Sequence, residues 1–223
     1  MSGLTLALLL AWGTLAGVDL VSWPQAFLSR PVVVGAIAGV IIGDPVAGLR
    51  VGVLLELFAL DVLPVGAARY PDYGPATVAA TAWARGLDWT SALGPAVFLA
   101  LAVGWVGGRS MEALRRRNGR RLRKLEPRIA AGDPRAVARL QWHGLADDVL
   151  RAALLTALAL LVAIVSRIWI VVPEEPGRAL TLVVIAGGLG AALTGTVRRT
   201  TPASLLRWLG VGLAAGGVAA WLI

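Results

Sequence analysis

Between residues 30 and 64 the chain reads RPVVVGAIAGVIIGDPVAGLRVGVLLELFALDVLP. Two apolar runs flank Gly43-Asp44-Pro45. Arg30-Pro31 marks a helix start, because proline suits a first helical turn. The first run, Val32 to Ile42, has 11 residues. As a helix it is about 16 Å long, roughly half the apolar core of a bilayer. The second run, Val46 to Leu63, carries Arg50, Glu56 and Asp61 and stops at Pro64. Short apolar segments broken by glycine and proline are the best sequence pointer to a transporter binding site. The reason is that non-helical backbone at membrane depth must be buried in protein or line a watery cavity. The plainer alternative is a kinked structural hairpin.

The rest of the chain sets this stretch in a membrane. Of 223 residues, 57% are hydrophobic and 15% charged, with a mean hydropathy of +0.76. Soluble domains carry roughly 25% charged residues, and disordered chains need low hydrophobicity. Long apolar runs also exclude a β-barrel, whose strands alternate. The expected fold class is all-α: a polytopic membrane protein with re-entrant or broken helical hairpins. Further apolar runs are Leu4–Val21, Ser91–Gly107, Val149–Val172, Ala179–Val197 and Ala203–Ile223. A polar stretch at 65–75 precedes a short apolar piece, Ala76–Trp83. The chain therefore divides into an N-terminal membrane region (1–108), a basic cytoplasmic loop expected to be helical in places (109–145) and C-terminal membrane helices (146–223). The apolar start lacks a basic lead-in and reads as a retained span.

The net charge of +8 is local: 11 of the 21 Lys and Arg residues lie between Arg109 and Arg139. Basic residues accumulate in short cytoplasmic loops. This places the 109–139 segment inside, the Glu174–Glu175 turn outside and Arg198–Arg199 inside. The expectation is a multi-pass protein of the cell (inner or plasma) membrane that binds no nucleic acid. The arginine cluster sets orientation, and could also bind anionic lipid headgroups or an acidic cytosolic partner. Cysteine is absent, and no metal-ligand cluster, Walker loop or hydrolase signature appears. No cofactor is expected, and the chain has no evident means of hydrolysing ATP.

Candidate binding residues concentrate in the first 90 positions. Glu56 sits among Val53-Leu54-Leu55 and Leu57-Phe58-Ala59-Leu60. An intramembrane carboxylate is costly and marks either a functional site or an ion pair, here with Arg30 or Arg50. Gly48, Gly52 and Glu56 share one helix face at i, i+4, i+8, which lets another backbone come close. Gly35, Gly39 and Gly43 form a second small-residue ladder suited to tight helix packing. Asp72 lies between Tyr70 and Tyr73. A carboxylate beside aromatic faces suits a sugar, while the alternative is a solvated turn aspartate. His143 follows Trp142 and has Asp147 at i+4, but a capping or interface role accounts for it more simply.

The run Arg30-Pro31, Gly43-Asp44-Pro45, Gly48, Gly52-Val53-Leu54-Leu55-Glu56-Leu57, Pro64-Val65-Gly66-Ala67-Ala68 and Pro71-Asp72 resembles the IIC membrane subunit of the mannose/fructose/sorbose family of phosphotransferase system (PTS) sugar permeases. Trp142-His143 before an apolar helix is similar too. The resemblance implies an all-helical, elevator-type transporter subunit that binds and carries a hexose or amino sugar. It implies a IID-like membrane partner, assembly as trimers of heterodimers, and soluble IIA and IIB phosphocarriers that hold the phosphorylated histidines. No phosphorylated catalytic residue is then expected on this chain. Carried over by motif, the sugar contacts are Glu56, Gly66, Ala68 and Asp72. Asp19 and Gln25 are candidates for the polar pair preceding the Arg-Pro motif. The rival readings are a membrane subunit energised by separate ATPases and a non-transporting membrane scaffold.

Overall fold

The computed structural model describes residues 1–60 and 69–197. Within them the chain forms seven helices: α1 (Gly3–Asp19), α2 (Pro31–Ile42), α3 (Pro45–Ala59), α4 (Tyr73–Ala84), α5 (Trp89–Ala130), α6 (Pro134–Trp169) and α7 (Glu174–Val197). Three of them, α5, α6 and α7, are long and apolar enough to cross a membrane. Asp61, Gly66 and Ala68 lie outside the described residues, as does the last expected span, Ala203–Ile223.

The stretch at 30–64 folds as a hairpin of two short helices. Pro31 starts α2, and Gly43 ends it in the left-handed conformation at φ 74°. Asp44 caps α3 by accepting a hydrogen bond from the Ala47 amide at 3.1 Å. Asp44 Oδ2 also accepts from the Gly86 amide at 3.0 Å, which ties the hairpin tip to the α4–α5 turn. Both glycine ladders are used, against each other. A Cβ at Gly48 would stand 2.2 Å from the Gly35 carbonyl oxygen and 2.6 Å from Gly39 Cα. One at Gly52 would stand 2.6 Å from the Pro31 carbonyl oxygen. The two backbones touch, which is what small residues permit in a membrane. Without a strong hydrophobic force between helices, this close dispersion contact holds the hairpin together.

The hairpin packs on α4, the centre of the molecule. Every residue of α4 is buried, and it touches α1, α2, α3, α5 and α6. Small residues make that crowding feasible: Gly74, Ala76, Ala79, Ala80 and Ala82. α4 begins at Tyr73, earlier than the expected Ala76, because Pro75 falls in the first turn, where its missing N–H is not needed. α1 pairs with α6, and α5 with α7.

The basic segment at 109–145, expected to be helical in places, is helical throughout apart from a turn at residues 131–133. α5 continues past its apolar part for a total of 42 residues, and α6 returns over 36. The reason is intrinsic: Arg, Leu, Ala and Met are good helix formers whether or not lipid surrounds them. Beyond Leu114, α5 buries no residue, so a charged helical hairpin projects from the bundle. On α6, Leu150, Leu154, Leu158, Leu161, Val165 and Ile168 are all exposed on one stripe. Such an outward apolar stripe belongs in lipid, and the chain is a membrane protein.

The hairpin contact yields a direct expectation. Gly48→Ala forces the two backbones apart and should destabilise by about 1–3 kcal/mol, as overpacking does. Gly119→Ala, in α5 with no atom within 4 Å of the new Cβ, should be neutral or stabilising by roughly 0.5–1 kcal/mol. Thermal unfolding in detergent measures both; equal midpoints for the two variants would refute the contact.

Candidate functional site

A cavity of about 430 Å³ opens where the 20–30 loop, the start of α2, the end of α3 and the segment leading into α4 converge. Asp19, Gln25, Arg30, Ala59, Tyr70 and Tyr73 are among the residues lining it. It is bounded by short, interrupted segments.

Asp19 builds one wall. It is buried at the end of α1, and its carboxylate accepts hydrogen bonds from the Ala26 and Ser29 amides at 2.7 and 2.8 Å. These bonds fold the loop back on itself. The loop needs such an anchor, because Gln25 and Phe27 adopt positive φ values of 59° and 61°. That conformation is uncommon for residues other than glycine and costs about 1–2 kcal/mol each. Gln25 donates its side-chain amide to the Val21 carbonyl at 2.8 Å. Asp19 is thus a loop fastener at the cavity edge, and Gln25 is the polar group that the loop presents.

Glu56 forms an ion pair with Arg30, not with Arg50, whose guanidinium lies over the Trp89 ring at 4.9 Å. The second carboxylate oxygen of Glu56 accepts from the Val32 amide at 3.1 Å. Val32 is in the first turn of α2, whose N-cap position, Arg30, supplies no side-chain cap. A carboxylate from α3 therefore satisfies an orphan amide and the positive end of the α2 dipole. Both readings of Glu56 meet here: it is structurally paired, and its partner lines the cavity.

Asp72 departs from its expected place. It is fully buried and does not line the cavity, although its neighbours Pro71 and Tyr73 do. Its Oδ2 accepts from Arg151 at 2.8 Å. Oδ1 is buried without a hydrogen bond of ordinary geometry. The solvated-turn alternative does not hold, because the side chain is fully buried. The two tyrosines reach the cavity while the carboxylate turns away behind them.

Arg151 was not legible as a site residue. From α6 it donates to Asp72, to Asp148 Oδ1 at 2.8 Å, to Ser110 Oγ at 3.3 Å and to the Gly17 carbonyl at 3.1 Å. Asp148 also accepts from Ser22. The Gly17 carbonyl is one of the orphan acceptors at the end of α1. The segment 70–72 lies flat on a glycine face of α5: a Cβ at Gly107 would stand 2.6 Å from Asp72 Cβ, and one at Gly108 would stand 2.6 Å from the Tyr70 carbonyl oxygen. The Asp72 amide donates to the Gly104 carbonyl at 3.0 Å. His143 is exposed, and Asp147 is taken by Arg117 and Arg121; the two make no contact.

Chemically, the cavity offers an amide, a guanidinium paired with a carboxylate, and two phenol rings. Polar donors and acceptors beside aromatic faces suit a small polyhydroxylated molecule.

The chain is similar to a family of known proteins over most of its length. The family profile described as "PTS system sorbose-specific iic component" matches residues 4–201. The chain is similar to the N-acetylgalactosamine permease IIC component 1 of Escherichia coli K12, 34% identical over 109 residues. That match covers 48% of this chain and 39% of the relative. It is similar to the sorbose-specific EIIC component of Lacticaseibacillus casei, 33% identical over 81 residues, covering 36% of this chain and 29% of the relative. The matches thus span well under half the length of these two relatives. Two solved structures share the fold over 100% of this chain. One is titled a structure of a membrane protein (TM-score 0.75, 19% identity, 94% of that chain). The other is the mannose transporter ManYZ in complex with microcin E492 (TM-score 0.62, 21% identity, 95% of that chain).

Removing Arg151 leaves two buried carboxylates without their cation. Arg151→Gln should therefore destabilise by about 3–5 kcal/mol, the usual penalty for breaking a buried ion pair. Arg178→Gln, on an exposed pair with Glu174, should change stability by less than about 1 kcal/mol. The detergent unfolding midpoint of each variant checks the contrast; similar shifts would show that the Arg151 network is not holding the bundle.

Proposed function

The chain belongs to the PTS sorbose-specific IIC component family, and from that membership we propose that it is the membrane subunit through which a phosphotransferase system admits a hexose or amino sugar. The observation that carries the reading is the cavity at residues 19–31, 59 and 70–73, built on the motif-bearing hairpin. Gln25, Arg30 with Glu56, Tyr70 and Tyr73 form the sugar site. Asp19 shapes it through the loop and Asp72 supports it from behind, and the motif adds Gly66 and Ala68, outside the described residues, as further sugar contacts.

The site works by hydrogen bonding and stacking. Arg30 donates to ring hydroxyls, the carboxylate of Glu56 accepts from them, and the tyrosine rings cover apolar sugar faces. The α2–α3 hairpin, about 18 Å and 22 Å along its two helices, enters the membrane without crossing it. Sugar and hairpin then move together against the α5–α7 scaffold in an elevator-like step. The chain lies in the cell's inner or plasma membrane with the 109–139 hairpin inside. It pairs with a IID-like subunit, as heterodimers in threes, and soluble IIA and IIB carriers bring the phosphate.

Charge-assisted hydrogen bonds are worth about 1.5–3 kcal/mol each. Glu56→Gln should therefore weaken sugar uptake roughly 10- to 100-fold in cells expressing normal amounts of the protein. Uptake equal to wild type would remove Glu56 from the site. Affinity capture from gently solubilised membranes tests the assembly. Recovery of a second polytopic subunit with a phosphohistidine carrier supports it, and recovery of ATPase subunits would refute it.

A further inference from the structure

The 20–30 loop is a partition between two hollows. Leu20, Gln25, Phe27 and Ser29 line the sugar cavity. Ser22 and Trp23 line a second hollow of about 680 Å³, whose other walls include Asn118 and Leu122 of α5 and Leu140 and Trp142 of α6. Among the described residues, the hydrogen bonds of residues 20–29 stay within the loop and the end of α1, with one exception. The exception is Ser22, whose hydroxyl donates to Asp148 Oδ2 on α6. Ser22 is exposed, whereas Asp148 is fully buried.

We propose that Ser22 is a positioning residue for the cavity: its bond to Asp148 pins the loop to α6 and so holds Gln25 where the sugar site needs it. Asp148 is fixed in turn. Its other oxygen accepts from Arg151 at 2.8 Å, and Arg151 also donates to Asp72 at 2.8 Å. Asp72 is flanked by Pro71 and Tyr73, which line the cavity as well. Two parts of the cavity wall are therefore set from one guanidinium, and the Ser22 hydroxyl joins the loop to it. The link is strong for an exposed serine. A buried carboxylate oxygen deprived of its donor bears the desolvation cost of a charged group, so Asp148 resists release of the loop. The loop also needs holding. The positive φ values of Gln25 and Phe27 are unfavourable for such residues, and the second hollow leaves the loop space to retreat. Only the conversion of loop position into sugar affinity rests on the transport reading.

The chain has no cysteine, so a single spin label at A26C reports the loop. It is read on the full chain in nanodiscs, with whatever membrane subunit co-purifies. Uptake of radiolabelled mannose and N-acetylglucosamine is measured in cells at matched expression. S22A should give a more mobile label and raise KM about tenfold at unchanged Vmax, the low end of what a hydrogen bond to a charged group is worth. A merely structural role would instead lower the amount of working protein, and so Vmax alone. S22T keeps the hydroxyl and should match wild type in both readouts. So should S166A, which removes a hydroxyl bonded to the Ala163 carbonyl of its own helix. In a D148N background S22A should change KM by less than about threefold, because the charged acceptor is gone. Three results overturn the role of Ser22: an unchanged label, a mobile label with unchanged KM while Glu56→Gln impairs uptake, or an equal effect of S22A in both backgrounds. If wild type takes up neither sugar, or Glu56→Gln matches it, the transport reading falls, and a mobile label in S22A still upholds the tie between loop and α6.

Discussion

A buried guanidinium, Arg151, constrains the arrangement of four segments at once. It faces Asp72 before α4, Asp148 on its own helix, Ser110 on α5 and the carbonyl of Gly17 on α1. In a low-dielectric interior an unpaired charge is costly enough that the chain must bring these partners together. The geometry follows from that requirement. Asp72 can reach Arg151 only if residues 70–72 lie flat on α5, and they do so because Gly104, Gly107 and Gly108 leave room. With Asp72 turned inward, Tyr70 and Tyr73 are left to line the cavity. The polar centre thus shapes a site from which its own carboxylates are withheld.

The α2–α3 hairpin rests on a different force. It holds its two helices by glycine against glycine, with one ion pair and one cap from Glu56 at the open end. This part was legible in the sequence because its signals are local. Glycines at intervals of four define a face, Gly43-Asp44-Pro45 defines a turn, and a lone carboxylate in an apolar run demands a partner within reach. Arg30 was one of the two candidates named by proximity, and the start of α2 made it the better one. Its positive charge sits at a helix N-terminus, where it needs compensation.

What was not legible is what depends on long-range pairing. Asp72 and Arg151 are 79 residues apart, and no spacing rule connects them. Asp72 in isolation reads as a turn residue between aromatic rings, and only the fold shows that its position is the N-cap of a buried helix. The full extent of helix over 109–145, expected only in places, was hidden for another reason. Polarity after an apolar span suggests a loop, yet helix formation depends on side-chain entropy and backbone bonding, which Arg, Leu and Ala favour in water as well. Apolar periodicity reported where lipid ends, not where the helix ends.

The charged hairpin also explains the chain's electrostatics. Residues 109–139 carry 11 basic and 3 acidic side chains, an excess equal to the net charge of the whole chain, +8. The rest of the molecule is balanced, as a membrane interior requires, with its charges in pairs such as Arg30–Glu56 and Arg151–Asp72. A uniform positive surface would suffice to set orientation. The distribution is not uniform: Asp147 binds Arg117 and Arg121, and Asp133 binds Arg128 at 2.7 Å. Those pairs stiffen the hairpin. Nearer the bundle, Arg115 stacks on Tyr70, which also lines the cavity, so the charged hairpin joins the cavity wall through one aromatic ring.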